Sequence, residues 1–331
     1  MSPGVPIDGI CLSGFLCAKK RIADKAKPMT NAPQSASASI AEVVEVIEIR
    51  GTHAANAPPQ LLIEVPHGAT RTEHFTTLAG WLHGDYPADL IDFFHVNTDV
   101  GAPELAVRTA ERFVDALPNC NAVVLRCLIP RTFIDCNRII DDTKGGMTPG
   151  LHAWVKDPRD KALLLGRYHA YRSLVERMFA KTCAVGGHAL MVHSYAPRNI
   201  EVPVDDRIVE QLRKAYQKGT IETFPLRPSI DLIHATPEGV SLASPALLAH
   251  AQRTFAALPL DVAKNSTYPL HPSTLACSHS LAHPQRTLCL EVRRDLLVAE
   301  FTPFAEMRAD LAKVDHIAKA LALAAISAHG A

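Results

Sequence analysis

The stretch "LLIEVPHGAT", residues 61–70, is the place from which the fold of this chain can be worked out. Its first five residues are almost entirely aliphatic, and the run ends abruptly at Pro66-His67-Gly68. A short apolar run bounded by Pro and Gly is typical of a strand that is buried on both faces. His67 therefore stands where a buried strand ends. A lone histidine in such a place is more often structural than functional, so its meaning depends on partners elsewhere in the chain.

Strand-like and helical patterns alternate along the rest of the sequence. The strand patterns cover 41–50, 61–65, 121–128, 187–194, 229–235 and 286–292. The helical patterns cover 102–117, 157–183, 205–219 and 302–330. This alternation predicts an α/β three-layer sandwich, in which a mixed, mostly parallel sheet carries helices on both faces. Ligands of open α/β sheets bind outside the carboxyl ends of the strands. His67, His193 and Glu291 all stand at predicted strand ends.

Composition excludes several classes of partner. Lys+Arg and Asp+Glu both number 34 in 331 residues, so we expect neither nucleic acid nor an anionic membrane as a partner. The eight cysteines form no CxxC pair, which favours reduced thiols in the cytoplasm over disulfides or a cysteine-based zinc site. No apolar run is long enough to span a bilayer. The oligomeric state cannot be predicted from these patterns.

The amino-terminal segment differs in composition from the rest. Residues 1–38 are rich in Pro, Ser, Ala and Lys without a lasting period, and we predict a disordered tail there. Met29 is an alternative start of translation. Basic residues follow the apolar part of this segment, which is the reverse of the order in a signal peptide. Residues 39–331 are predicted to form a single domain.

Short segments that can carry chemistry recur at the predicted strand ends. They are "VPHGAT" (65–70), "NTDVGAPEL" (97–105), "RTFIDCNR" (131–138), "MVHSYAPR" (191–198) and "LEVRRD" (290–295). Two strand-end histidines and one carboxylate would make a three-ligand zinc set with a fourth position open to water. Such chemistry also needs a carboxylate that carries a proton and a cation that steadies an oxyanion.

The order and the amino-acid sequences of these segments resemble the motifs of the N-formylglutamate amidohydrolase family, which is related to the zinc carboxypeptidases and aspartoacylases. The best match is "RTFIDCNR", which fits that family's Arg-x-x-(Ile/Val)-Asp-x-Asn-Arg signature throughout. "VPHGA", "NTD", "YHAYRSLVE", "VHS" and "LEVRRDL" follow in family order, so the resemblance spans about residues 60–298. It implies a zinc-carboxypeptidase-like fold and a metal-dependent hydrolase of a non-peptide C–N (amide) bond, with N-formylglutamate as the nearest substrate.

The resemblance also implies a ligand set for one divalent metal ion, most simply zinc. His67 and His193 match two zinc ligands. Asp99 matches the third, and Glu104 is the alternative to Asp99. A carboxypeptidase-like His-x-x-Glu pattern would need an acid at position 70, where this chain has Thr70.

Four further residues receive roles from the same resemblance. Glu291 matches the general acid/base, and Arg131 would hold the carbonyl oxygen or oxyanion. Asn137 and Arg138 would bind a carboxylate of a small N-acyl substrate, because a guanidinium presents a two-pronged donor.

The chain departs from the family pattern in three places. Gly68 stands where the family usually has Ser, and Met191 stands where it usually has Asp, two residues before the second histidine. Substrate-side residues cannot be transferred within 220–285, where the family tends to be Gly-rich. An aspartoacylase- or carboxypeptidase-like hydrolase of another acyl or peptide substrate is an alternative. A catalytically lapsed binding protein is another; Met191 and Gly68 favour it, and the retained Glu291 argues against it.

Purely structural roles for the same residues stay open at this point. Asp99 could equally close a turn, and an acid at Glu104 suits the first turn of a helix. Asp135 is expected to be the buried partner of a nearby arginine. Glu291 could simply pair with Arg293 or Arg294. The loop histidines are expected to be solvated rather than to form a second metal site; they are His271, His279 and His283.

Overall fold

The computed structural model describes residues 38–54, 56–140 and 148–330, so the predicted tail lies, except for its last residue, outside the described part. The strands are β1 (Val44–Arg50), β2 (Leu61–Val65), β3 (Asn121–Cys127), β4 (His188–Tyr195), β5 (Ile230–Ile233), β6 (Val262–Lys264) and β7 (Thr287–Arg293). The helices are α1 (Thr72–Ala79), α2 (Leu90–Asn97), α3 (Ala102–Ala116), α4 (Pro158–Ala184), α5 (Ile208–Ala215), α6 (Pro245–Ala256), α7 (Leu275–Ala282) and α8 (Leu311–His329). None of these helices is both long and apolar enough to cross a membrane.

The strands form one mixed, mostly parallel sheet in the order β1-β3-β2-β4-β7-β5-β6. Strand β2 runs parallel to both β3 and β4, β4 runs parallel to β7, and β5 runs parallel to β6. The antiparallel pairs are β1 with β3 and β5 with β7. The predicted α/β architecture is confirmed.

Each face of the sheet has its own apolar core. In β2, Leu62 packs into a cluster with side chains of α4, whereas Leu61 and Ile63 pack into a second cluster with side chains of α3, α6 and α8. Successive side chains of a strand point to opposite faces, so a strand covered on both sides is mostly apolar. This explains why the residues of β2 carry no polar alternation and why all five are buried. The one acid of β2, Glu64, is buried and accepts a hydrogen bond of 2.8 Å from the hydroxyl of Tyr171.

The helix ends follow from local capping. At the start of α4, the side chain of Asp157 accepts a hydrogen bond of 2.8 Å from the backbone N–H of Arg159, as expected of an N-cap residue. The prediction of one helix over 302–330 is wrong at its start. Helix α8 begins at Leu311, because Asp310 caps it by accepting from the N–H groups of Ala312 and Lys313.

The order of the strands brings the predicted site residues together. Strands β2, β4 and β7 are adjacent and parallel, so their carboxyl ends meet at one edge of the sheet. His67 follows β2 by two residues, and His193 of β4 lies directly across from Glu291 of β7. The sequence pattern does not predict helices α1, α2, α6 and α7 or strand β6, which have 3 to 12 residues; short elements often give a weak periodic signal.

Candidate active site

Three buried side chains converge at the carboxyl ends of β2 and β4. Nδ1 of His67 lies 3.2 Å from Oδ2 of Asp99, and Nδ1 of His193 lies 3.0 Å from the same oxygen. The two Nδ1 atoms are 3.2 Å apart. Asp99 lies in the turn between α2 and α3, where its backbone N–H donates to the carbonyl of His67. The structure therefore brings together the three residues that the sequence proposed as metal ligands.

Asp135 holds the first of these histidines in place. It accepts hydrogen bonds from Nε2 of His67 (2.8 Å), Nη2 of Arg131 (2.9 Å) and the backbone N–H of Asn137 (2.9 Å). Burial alone would raise the pKa of Asp135, but Arg131 and His67 hold this pKa well below its ordinary value. The sequence predicted a buried partner for an arginine and missed the bond to His67. Because Nε2 carries the donated proton, Nδ1 of neutral His67 has a free lone pair.

The three converging atoms fit a divalent metal ion. Asp99 is ionised, because the two histidines lower its pKa although burial opposes them. The triangle of Asp99 Oδ2, His67 Nδ1 and His193 Nδ1 has edges of 3.0 to 3.2 Å. Tetrahedral zinc with bonds of about 2.0–2.1 Å holds its ligand atoms about 3.4 Å apart. Two imidazoles and a carboxylate are also a common donor set for zinc. The buried group can therefore bind a metal ion.

Glu291 shares the cavity with this group. Its Oε2 is buried and has no hydrogen-bond partner among the described residues. Burial raises the pKa of Glu291 to about 7, although the neighbouring His193 favours the charged form. Among the described residues, Arg293 pairs with Asp295 and donates to the carbonyl of Arg227, and Arg294 donates to Val96 and Ser194 but not to Glu291. The interpretation of Glu291 as the ion-pair partner of either arginine is therefore not supported by the geometry.

Arg131 and Arg138 present two different guanidinium groups to the cavity. Arg131 is bonded to Asp135, and its Nη1 lies 4.0 Å from Oδ1 of Asp99. Arg138 is buried, donates from Nη1 to the carbonyl of Asn137 at 3.4 Å, and makes no ion pair within the described part of the chain. Its Nε–H has no partner there either. Burial lowers the pKa of Arg138.

Asn137 is partly committed to the fold. Its Oδ1 accepts a hydrogen bond of 3.1 Å from the backbone N–H of Ala276, at the start of α7. Its backbone N–H donates to Oδ1 of Asp135. Within the described residues, the side-chain NH2 of Asn137 has no partner and can bind a ligand.

The glycine at position 68, where the resemblance leads one to expect serine, has a structural reason. A Cβ at Gly68 would lie 2.5 Å from Cγ of Arg126, whose Nε–H donates to the Gly68 carbonyl at 2.8 Å. A serine therefore does not fit beside this arginine. Thr70 accepts from Arg126 at 3.4 Å, and Met191 is buried in the apolar core.

The remaining candidates lie apart from the converging group. Glu104 lies in the first turn of α3, is not among the three residues of the possible metal group, and has a buried, unpaired Oε2 in the described structure. His279 is buried on α7 and stacks on Phe179 at 4.2 Å, so it is not a loop residue as predicted. Among the described residues, no second group of possible metal ligands surrounds it.

The cavity that contains His67, Asp99 and His193 has a volume of about 390 Å³ and reaches well beyond these three residues. The sequence missed part of its lining, namely His152, Tyr195, Arg198, Arg227, Tyr268 and Arg294. Tyr195 and Arg198 stand in the segment that had been singled out for His193. Nothing in the sequence marks Arg227 or Tyr268, because they reach the cavity from loops far along the chain.

Comparisons with known proteins support the fold. No protein-family model matches the chain, and no curated protein matches it. The crystal structure of N-formylglutamate amidohydrolase from Ralstonia eutropha JMP134 is similar, with 16% identity and a TM-score of 0.55 over 87% of this chain and 97% of that chain. The crystal structure of a gene product from Agrobacterium tumefaciens shares 20% identity, with a TM-score of 0.49 over 88% of this chain and 95% of that chain. The resemblance predicted from the sequence is thus confirmed at the level of the fold.

Proposed function

We propose that this protein is a zinc-dependent amidohydrolase that cleaves a small N-acyl amino acid such as N-formylglutamate. One observation carries the proposal: the converging His67, Asp99 and His193 share a cavity with Glu291, whose buried Oε2 has no hydrogen-bond partner among the described residues. The name of the Ralstonia protein, which has the same fold, supports the choice of reaction. The cytoplasmic location stays a prediction from cysteine usage.

His67, Asp99 and His193 would hold the metal. A zinc ion held there would supply a nucleophilic water at neutral pH and would polarise the scissile carbonyl group. The protein prepares the site by fixing His67 through Asp135, which keeps the lone pair of Nδ1 directed at Asp99 and His193. Burial of the three side chains excludes bulk water, so the charges in the site are weakly screened.

Glu291 transfers the proton in this proposal. The carboxylate accepts a proton from the attacking water and returns it to the leaving nitrogen, so that the acid and the amine are released without net proton gain by the enzyme. A pKa of about 7 suits both steps, because the group can bind and release a proton near neutral pH. The guanidinium of Arg131, held by Asp135, would stabilise the negative charge that develops on the carbonyl oxygen.

Arg138 would recognise the acid portion of the substrate. A buried guanidinium without a carboxylate partner in the described chain is unfavourable unless a ligand supplies the charge. A substrate carboxylate can receive two parallel N–H bonds from Arg138 and one from the free NH2 of Asn137. The proposed substrate therefore carries at least one carboxylate.

The proposal is tested by measuring metal content and hydrolysis with the same purified protein. We expect about one zinc per chain and release of formate from N-formylglutamate that stops when the metal is chelated. Cleavage of N-acetylaspartate or of a peptide instead would indicate the aspartoacylase- or carboxypeptidase-like alternative. Saturable binding of these compounds without turnover would indicate a lapsed enzyme and contradict the proposal.

A further inference from the structure

The cavity offers many donors and few acceptors. Its polar lining contains five guanidinium groups, those of Arg131, Arg138, Arg198, Arg227 and Arg294. Guanidinium groups can only donate. An N-acyl amino acid brings carbonyl and carboxylate acceptors, which match such a lining, but it also brings one N–H donor at the bond to be cleaved. A buried N–H without an acceptor would weaken binding, so the cavity needs an acceptor at that point.

Most acceptors of the cavity are already occupied. Asp135 accepts three hydrogen bonds, and Oδ1 of Asn137 accepts from Ala276. Oγ of Ser194 donates to the Val100 carbonyl and lies within reach of Nε of Arg294, and the hydroxyl of Tyr268 accepts from Arg227. Asp99 belongs to the proposed metal site and Glu291 to proton transfer.

Glu201 also lines the cavity, but it is exposed and its Oε1 accepts from Asn199. Among the buried side chains of the lining, His152 offers an acceptor nitrogen that has no other partner in the described chain. It is buried and lines the cavity, and its Nε2 lies 3.0 Å from the carbonyl oxygen of Arg131. A carbonyl only accepts, so Nε2 carries the proton and Nδ1 of the neutral ring carries a lone pair. Burial lowers the pKa of His152 to about 4, which keeps the ring neutral at physiological pH. Nδ1 makes no hydrogen bond within the described chain, and it is not among that chain's fully buried unpaired atoms.

The orientation of this imidazole is held by a neighbouring ring. His152 stacks on Trp154, with ring centroids 4.4 Å apart and planes at 10°. Nε1 of Trp154 donates to the carbonyl of Thr132 at 3.1 Å, so the two rings bond to the carbonyls of consecutive residues. His152 cannot turn without losing its own bond to the Arg131 carbonyl and its stacking on a flat ring at position 154, and Nδ1 of His152 therefore keeps one direction.

We propose that His152 determines specificity by accepting the N–H of the scissile amide at Nδ1. This inference rests on the proposed function. In an N-acyl amino acid the N–H lies between the acyl carbonyl and the α-carboxylate. The residues assigned to those two groups, Arg131 and Arg138, line the same cavity as His152, and Arg131 is bonded to it directly. The cavity thereby selects a secondary amide over an ester of the same acid.

The test compares N-formylglutamate with its ester analogue, in which oxygen replaces the N–H. Zinc-loaded wild-type protein and His152→Phe are assayed on both compounds, and the ratio of kcat/KM for amide over ester is taken for each protein. Phenylalanine keeps a flat ring next to Trp154 but has no acceptor. The ratio should fall about tenfold in this variant, because the amide N–H is left without a partner whereas the ester loses nothing there.

Matched variants show whether His152 recognises the amide N–H of the substrate or only supports the backbone at Arg131. Trp154→Phe loses its own bond to the backbone but does not touch the cavity, so its ratio should equal that of wild type. His152→Gln, which offers both an N–H and an oxygen, should recover most of the ratio. His152→Leu replaces the Phe variant if the latter does not fold. An unchanged ratio in the Phe or Leu variant would overturn this inference alone, whereas a wild-type protein that hydrolyses neither compound would overturn the proposed function as well.

Discussion

The two histidines of the candidate metal site are held in different ways. His67 donates from Nε2 to the buried carboxylate of Asp135, which is itself bonded to Arg131 and to backbone. His193 contacts Asp99 and His67 through Nδ1, and no bond from its Nε2 to another described side chain is seen. Two residues before His193, the chain has the apolar Met191. One ligand is therefore oriented before metal binds, and the other is positioned mainly by its strand and by Asp99.

This difference shows where the preorganisation of the site resides. A histidine whose second nitrogen is bonded to a carboxylate has a fixed tautomer and a more basic ligand nitrogen. Strand β4 supplies rigidity for His193 instead, since all of its residues from His188 to Tyr195 are buried. We expect the His67 side to carry most of the sensitivity to mutation of supporting residues.

The largest effect should follow from removing both histidines. His67→Ala combined with His193→Ala should reduce the metal content from about one ion per chain to none, since only Asp99 would remain of the three ligands. Metal analysis of dialysed protein measures this. His271→Ala with His283→Ala is the control and should keep its metal. A full complement of metal in the His67/His193 variant would show that the ion binds elsewhere.

Glu291→Gln should have the next largest effect and should act on catalysis alone. The amide can neither accept nor return a proton, so kcat should fall about 10²–10⁴-fold while the metal content stays at the wild-type level. Wild-type kcat/KM should fall as the pH drops below about 7, because burial raises the pKa of this carboxyl and the protonated form cannot act as a base. If the variant keeps the kcat of the wild type and its kcat/KM falls at the same low pH, Glu291 is not the proton-transferring group.

Asp135→Asn tests the comparison of the two histidines directly. An amide is a weaker acceptor for His67 and pairs poorly with Arg131, so metal affinity should fall about 10–100-fold. Competition with a chelator of known affinity measures the change. Met191→Leu, on the His193 side, is the control and should leave affinity within about twofold, as expected for a volume-conserving core change. Equal losses in both variants would mean that the two sides are held alike.

Arg138→Lys should have an effect no larger than that of Asp135→Asn, but on substrate recognition rather than on metal affinity. Lysine keeps the charge but loses the two-pronged bond, so kcat/KM for the carboxylate substrate should fall about ten- to a hundredfold. Metal content should not change. An analogue with a carboxamide in place of the carboxylate should be poor with the wild type and lose little more with the variant. Equal losses on both substrates, together with a lower Tm, would indicate a structural role for Arg138.

Much of the sheet could be predicted from the sequence because its pattern is local. A largely apolar run of five residues predicts β2 with the bounds that the structure shows, since a strand covered on both faces has no polar alternation. The short helices α1 and α2 gave no such signal, because eight residues hold barely two turns. The sequence does not reveal the start of α8, because its N-cap residue, Asp310, does not break the helical spacing of the apolar residues around it.

For the site, the sequence by itself determined which residue types are available at the ends of β2, β4 and β7, and the signature at 131–138 pointed to their chemistry. Only the tertiary structure decided which of them meet. Asp99 rather than Glu104 contacts both histidines, and Asp135 orients His67 from 68 residues away. Hydrogen bonds and pKa values depend on distances of a few ångströms, and those distances arise when separate strands pack side by side. The burial that raises the pKa of Glu291 to about 7 arises in the same way.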